Sequence, residues 1–140
     1  MEKNKVIKKE DILKSATLRV GEISLHKNGF IITKINDDVV IDVNDVKEMA
    51  EKTVEIAGSI GKPVLVLSGL RVDITKEARE FPIEKAVEYP HVASAEAIVV
   101  EDLATRIMAH FYYMFRKPLH DYKVFSNAAD AIKWLEKFKK

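Results

Sequence analysis

The sequence predicts an α/β fold, a five-stranded mixed sheet that opens with an N-terminal β-hairpin and continues through helix–strand units whose helices lie mainly on one face. Three observations predict it. Asn28-Gly29 stands between two β-rich runs, and Asn-Gly is a strong hairpin signal because a type I′ turn needs two residues that tolerate positive φ. Beyond it, segments with apolar residues at helical spacing alternate with short continuous apolar runs, the pattern of crossover helices and parallel strands. The chain has 140 residues, 47% of them hydrophobic, enough for one core and too few for two domains. Residues 1–140 therefore read as one domain, with 1–10 frayed.

Lys3, Lys5, Lys8 and Lys9 make the start a basic, solvated stretch, with a short helix expected across Lys8–Lys14. Thr17 to Leu25 reads as the first strand. Its apolar parity shifts from Leu18 and Val20 to Ile23 and Leu25 across Gly21, as an inserted β-bulge would cause. Phe30 to Thr33 is its antiparallel neighbour. After Asn36-Asp37-Asp38, Asp42 caps a helix carrying Val43, Val46, Ala50, Val54 and Ala57 at helical spacing, and Gly58 stops it. Pro63 to Leu67 is a buried strand. Thr75 caps the next helix, which breaks at Phe81-Pro82 because the proline ring clashes with the preceding turn. A short piece, Ile83 to Tyr89, stops at Pro90. Ala95 to Val100 is a strand, Leu103 to Arg116 a long helix closed by Pro118, and Lys123 to Phe125 a short strand. Asn127 to Phe138 forms the last helix, with Ala128, Ala131, Ile132, Leu135 and Phe138 on its apolar stripe.

Parallel crossovers are right-handed, so strands added in succession place their helices on one face of the sheet. Yet Val64–Leu67 and Ala97–Val100 are apolar at odd and even positions alike, which implies that both faces are covered. A symmetric homodimer is the expected cover for the second face, since two-fold dimers are the commonest oligomers. The competing cover is the N-terminal helix near Ile12 and Leu13.

Composition excludes several function classes. Lys and Arg number 23 against 22 Asp and Glu, so no net field gathers nucleic acid or an anionic membrane. The absence of cysteine excludes disulfides, thiolate nucleophiles and Cys-ligated metals, and points to the cytoplasm. No apolar run approaches the ~20 residues of a membrane span, so no stable membrane insertion is expected. Gly58-Ser59-Ile60-Gly61-Lys62-Pro63 has neither the spacing of a phosphate loop nor its Ser or Thr for magnesium. His26, His91, His110 and His120 lack metal-ligand spacing, so neither a metal nor a cofactor is expected.

Two features of the Leu103–Arg116 helix are candidates for function. Asp102, Arg106 and His110 recur one helical turn apart and would form a polar line suited to binding an anion or passing a proton. Phe111-Tyr112-Tyr113-Met114-Phe115 places five large residues in a row. Successive positions are ~100° apart, so some must face a neighbouring helix, another subunit or an apolar ligand.

The segments Ser68–Phe81 (SGLRVDITKEAREF), Ala95–Val100 (AEAIVV), Arg106–Phe111 (RIMAHF) with Lys117-Pro118, and Lys123–Leu135 (KVFSN, ending AIKWL) together resemble small bacterial proteins of the SpoIIAA-like, STAS-type fold. The likeness spans about 120 residues by pattern. It implies β–α units wound around one sheet, as in anti-sigma-factor antagonists, a fold shared with CRAL-TRIO lipid carriers. The antagonists carry a phosphorylatable Ser after the third strand. Ser68-Gly69 is the nearest counterpart, with Thr75 opening the following helix, so Ser68, Gly69 and Thr75 are the candidate regulatory loop. Leu67 stands where that pattern has an acidic or polar residue. The expected function is a non-enzymatic regulatory or protein-interaction module, partnered by itself and another protein. The alternative is a small carrier of an apolar, lipid-like ligand, and an enzyme is the third choice.

Overall fold

The computed structural model describes residues 7–57, 61–82, 93–116 and 120–139. Its elements, in chain order, are β1 (Ile12–Leu18), β2 (Gly21–His26), β3 (Ile31–Ile35), β4 (Val40–Ile41), α1 (Val43–Ala57), β5 (Lys62–Leu67), β6 (Asp73–Ile74), α2 (Lys76–Glu80), β7 (Ala93–Val99), α3 (Leu103–Arg116), β8 (Asp121–Phe125) and α4 (Ala128–Leu135). The main sheet has the order β1-β2-β3-β5-β7-β8; β1 to β3 are antiparallel, and β3, β5, β7 and β8 run parallel. β4 and β6 pair separately as a short parallel ribbon.

The α/β class, the hairpin at Asn28-Gly29 and the helix–strand order are as the sequence predicts, but the turn is not type I′, since Gly29 has positive φ (90°) and Asn28 does not; the caps explain the helix starts. Asp42 Oδ1 accepts the Asp45 N–H at 3.0 Å while the Asp42 N–H donates to Asp45 Oδ2 at 2.9 Å, a reciprocal cap of α1. Thr75 Oγ1 accepts the Ala78 N–H at 3.1 Å and starts α2. Gly58, the 83–89 piece, Pro90 and Pro118 lie outside the described residues.

The N-terminal third differs from expectation. Residues Lys9–Asp11 make only one 3₁₀ turn, and Ile12 and Leu13 already belong to β1, so no helix across Lys8–Lys14 folds over the sheet. Thr17 to Leu25 is not one bulged strand. A two-residue turn at Arg19-Val20 reverses the chain, Leu18 pairs with Gly21, and the main sheet consequently has six strands where the sequence predicts five. The turn contains none of the usual turn residues, so composition does not reveal it. Tertiary contacts hold it instead: the Arg19 N–H donates to Glu48 Oε1, its guanidinium to the Asp45 carboxylate and the Val40 carbonyl, and Val20 is fully buried. Gly21 reflects close approach, since a Cβ there would meet the Lys34 carbonyl oxygen at 1.8 Å.

Strand alternation divides the core into two layers. Val64 and Val66 of β5 and Ile98 of β7 face α1 and α3, while Ala78 of α2 packs with Val20, Ile35 and Val72 on the same side. Leu65, Leu67, Ala95, Ala97 and Val99 face the opposite way and are covered by Ala128, Ala131 and Leu135 of α4, with Trp134 and Phe138 at the margin. The chain's own last helix thus covers the second face. Neither an N-terminal helix nor a second subunit is needed for that purpose.

Candidate ligand cavity and its polar wall

Between the sheet and helices α1 and α3 lies an apolar cavity of about 250 Å³. Val64, Val66 and Ile98 form its floor, Met49 and Val54 line it from α1, and Met108 and Ala109 from α3. The helical period explains the last wall: Thr105, Met108, Ala109, Tyr112 and Tyr113 recur at three- and four-residue steps and all line the cavity. Of the five-residue aromatic run, Tyr113 is buried, Tyr112 is half-buried and Phe111 is exposed. The side chain of Phe115 lies outside the described residues.

One carboxylate stands in this apolar lining. Glu96 occupies the middle of β7, paired in register with Val64 of β5 and Tyr122 of β8, and strand alternation turns it to the same face as Ile98. The Tyr113 hydroxyl donates to Glu96 Oε2 at 2.6 Å, and His120 Nε2 lies 3.1 Å from Glu96 Oε1. The Glu96 and His120 side chains are only 19% and 18% exposed. The ring of Tyr113 stacks on Tyr122 with centroids 4.7 Å apart and meets Tyr112 edge-on at 5.0 Å, which holds the hydroxyl on the carboxylate. Pairing satisfies a charge that would otherwise be costly to bury.

Ser68 and Gly69 follow directly on the C-terminal end of β5, and Thr75 follows β6. Ser68 also lines the cavity and is 5% exposed; its hydroxyl donates to the Gly69 carbonyl at 3.1 Å and its N–H to the Val99 carbonyl at 3.0 Å. Gly69 sits against the Asn36–Asp37 backbone, where a Cβ would lie 2.4 Å from the Asn36 carbonyl group. Thr75 is the cap of α2. The three are brought near one loop, but Ser68 faces inward.

Asp102, Arg106 and His110 do not assemble a site. Asp102 Oδ2 accepts the Thr105 N–H at 3.1 Å and the Thr105 hydroxyl at 2.8 Å, capping α3. Burial acts to raise the Asp102 pKa, but the Thr105 hydrogen bonds, together with those from the Asp102 and Arg71 backbone, outweigh it and hold the carboxyl below its ordinary value. The Arg106 guanidinium reaches back to the Val100 and Glu101 carbonyls, and His110 is exposed. Among the described residues no group of three or more His, Asp or Glu side chains has the arrangement of a metal site. His26 is buried beside Ser24, and desolvation lowers its pKa against the opposing charge of Asp11. His91 lies outside the described residues.

Sequence reasoning missed Glu96 and His120, which are 24 residues apart and meet only in the fold. A signal existed: Glu96 is the one charged residue in the otherwise apolar run Ala95–Val100.

A family model described as Domain of unknown function (DUF7793) matches residues 23–139. The chain belongs to the DUF7793 family. The matched span begins in β2 and includes every cavity-lining element, so the cavity is a feature of this DUF7793 domain itself. No curated protein matches. Among solved structures, the chain is similar to an uncharacterized protein of the DUF3478 family with a SpoIIAA-like fold from Shewanella loihica PV-4, at 13% identity and a TM-score of 0.51, covering 87% of this chain and 90% of that one. The SpoIIAA-like architecture inferred from sequence is therefore shown for this DUF7793 protein, and at that identity the likeness concerns the fold alone.

Proposed function

We propose that this DUF7793 domain is a non-enzymatic binding module that shelters one small, mostly apolar ligand between its sheet and helices α1 and α3. The observation that carries this reading is the 250 Å³ cavity, apolar on most of its surface, with one carboxylate in its lining, Glu96, held by Tyr113 and His120. Ligand sites have this composition: apolar walls and a few fixed polar groups. Binding without turnover is supported by the commitments of Asp102 to a helix cap and of Arg106 to backbone carbonyls, which take the polar line of α3 out of acid–base work.

Calorimetry with propylbenzene tests the reading. Saturable one-to-one binding is expected, with strong loss in Ala109→Leu or Ala50→Leu, which fill the cavity from α3 and α1. No binding to the folded wild-type protein would overturn it.

A second reading, a homodimeric interaction module, is favoured by the outer face of α3. Leu103, Ile107, Phe111 and Met114 form a continuous exposed stripe, with Leu103 67% and Met114 59% exposed. Two such stripes packed antiparallel about a two-fold axis would cover each other and oppose the helix dipoles. Light scattering at micromolar concentration is expected to give a dimer mass that Ile107→Asp reduces to a monomer; a wild-type monomer would refute this reading.

A further inference from the structure

The ligand itself is constrained by the charge of the cavity wall. We infer that the cavity selects a small apolar molecule ending in a hydrogen-bond donor, an amine or a hydroxyl, and rejects carboxylates and phosphates. The inference rests on the cavity being a ligand site and concerns what that site accepts.

Size follows from volume. An apolar cavity of ~150 Å³ holds a benzene molecule, so 250 Å³ accommodates a body of roughly ten non-hydrogen atoms, far below a diacyl lipid.

Head-group chemistry follows from the wall. Among the described residues lining the cavity there is no Lys or Arg, and the carboxylate of Glu96 is the one acidic group. A buried anion without a cation or several donors beside it is strongly disfavoured, and a second anion next to Glu96 adds like-charge repulsion. A donor meets the opposite situation. A carboxylate offers about four lone-pair positions. Tyr113 occupies one on Oε2 and His120 one on Oε1, which leaves an acceptor position on each oxygen. The two partners also fix the carboxylate's orientation, so an arriving amine or hydroxyl finds its acceptor already placed. Three further lining hydroxyls are already committed as donors: Thr105 to Asp102, Thr53 to the Met49 carbonyl and Ser68 to the Gly69 carbonyl.

Four probes of nearly equal size separate the possibilities by calorimetry on the full chain: propylbenzene, 2-phenylethanol, 2-phenylethylamine and phenylacetate. The amine or the alcohol is expected to bind about tenfold or more tighter than phenylacetate, the worth of one hydrogen bond to a charged group. Glu96→Gln is expected to shrink that preference at least threefold, because the charged acceptor and its repulsion of an anion are lost while the cost of burying an anion remains. Phenylacetate binding as tightly as the donor-headed probes would overturn the inference while leaving the cavity reading intact, and so would an unchanged preference in a folded Glu96→Gln protein. Failure of all four probes would overturn both. The wild-type comparison decides the matter even if Glu96→Gln does not fold.

Discussion

Leu135→Ala tests whether α4 is what seals the second face of the sheet. Leu135 has no exposed surface and packs among Leu65, Leu67, Ala97 and Val99 of the central strands. Truncation to Ala removes three carbons, worth about 2.4 kcal/mol at ~0.8 kcal/mol each. Space that the neighbours do not refill adds about 24 cal/mol per Å³, which brings the expected loss to roughly 3 kcal/mol within the 2–5 kcal/mol usual for such sites. Urea unfolding followed by the fluorescence of Trp134, the sole tryptophan, measures it, because that ring packs on Phe125 at 5.8 Å and Phe138 at 4.8 Å. Lys133→Ala, on the exposed side of the same helix, should stay within about 0.5 kcal/mol of wild type. A Leu135→Ala loss below about 1 kcal/mol would place it with surface substitutions and refute the assignment of α4 as the cover.

Asp42→Ala and Thr75→Ala should each cost about 0.5–2 kcal/mol in urea, since each removes an N-cap hydrogen bond to α1 or α2. Gly69→Ala should cost about 1–3 kcal/mol by thermal or urea melting, because the added methyl meets the backbone of Asn36 and not a side chain that can swing away. Asp45→Asn should flatten the acid limb of stability. The side-chain hydrogen bond from Arg19 holds the buried Asp45 carboxyl below its ordinary value, against desolvation. Its contribution is therefore fully present above the unfolded carboxyl pKa of about 3.9 and is lost as pH falls through the lower folded value. Urea midpoints at pH 7 and pH 3 should show the gap between wild type and variant narrowing toward acid; a constant gap would contradict the linkage.

Much of the fold was legible because local chemistry and tertiary structure agree at the informative residues. Asn28-Gly29, the caps Asp42 and Thr75, and the α3 and α4 stripes each act over a few residues, which is the range sequence patterns report. Legibility failed where distant residues decide. The Arg19-Val20 turn depends on Asp45 and Glu48 from α1, so it carries no turn composition of its own. The side to which α4 returns is set by the apolar inner positions of β5 and β7, and the strand order alone leaves both sides open. The cavity wall was illegible for the same reason: Glu96, Tyr113 and His120 come from β7, α3 and the segment before β8. The polar line Asp102, Arg106 and His110 was visible in the helical period, but periodicity does not reveal that Asp102 turns back to cap its own helix.

The cavity as a ligand site is tested most directly by a titration of [¹³C-methyl]methionine-labelled protein with 2-phenylethylamine, followed by NMR. Met49 and Met108 line the cavity from opposite helices, whereas Met114 points outward from α3. Saturable shifts of the Met49 and Met108 methyl signals with Met114 unmoved are the predicted result; shifts confined to Met114, or none at saturating probe, would contradict it.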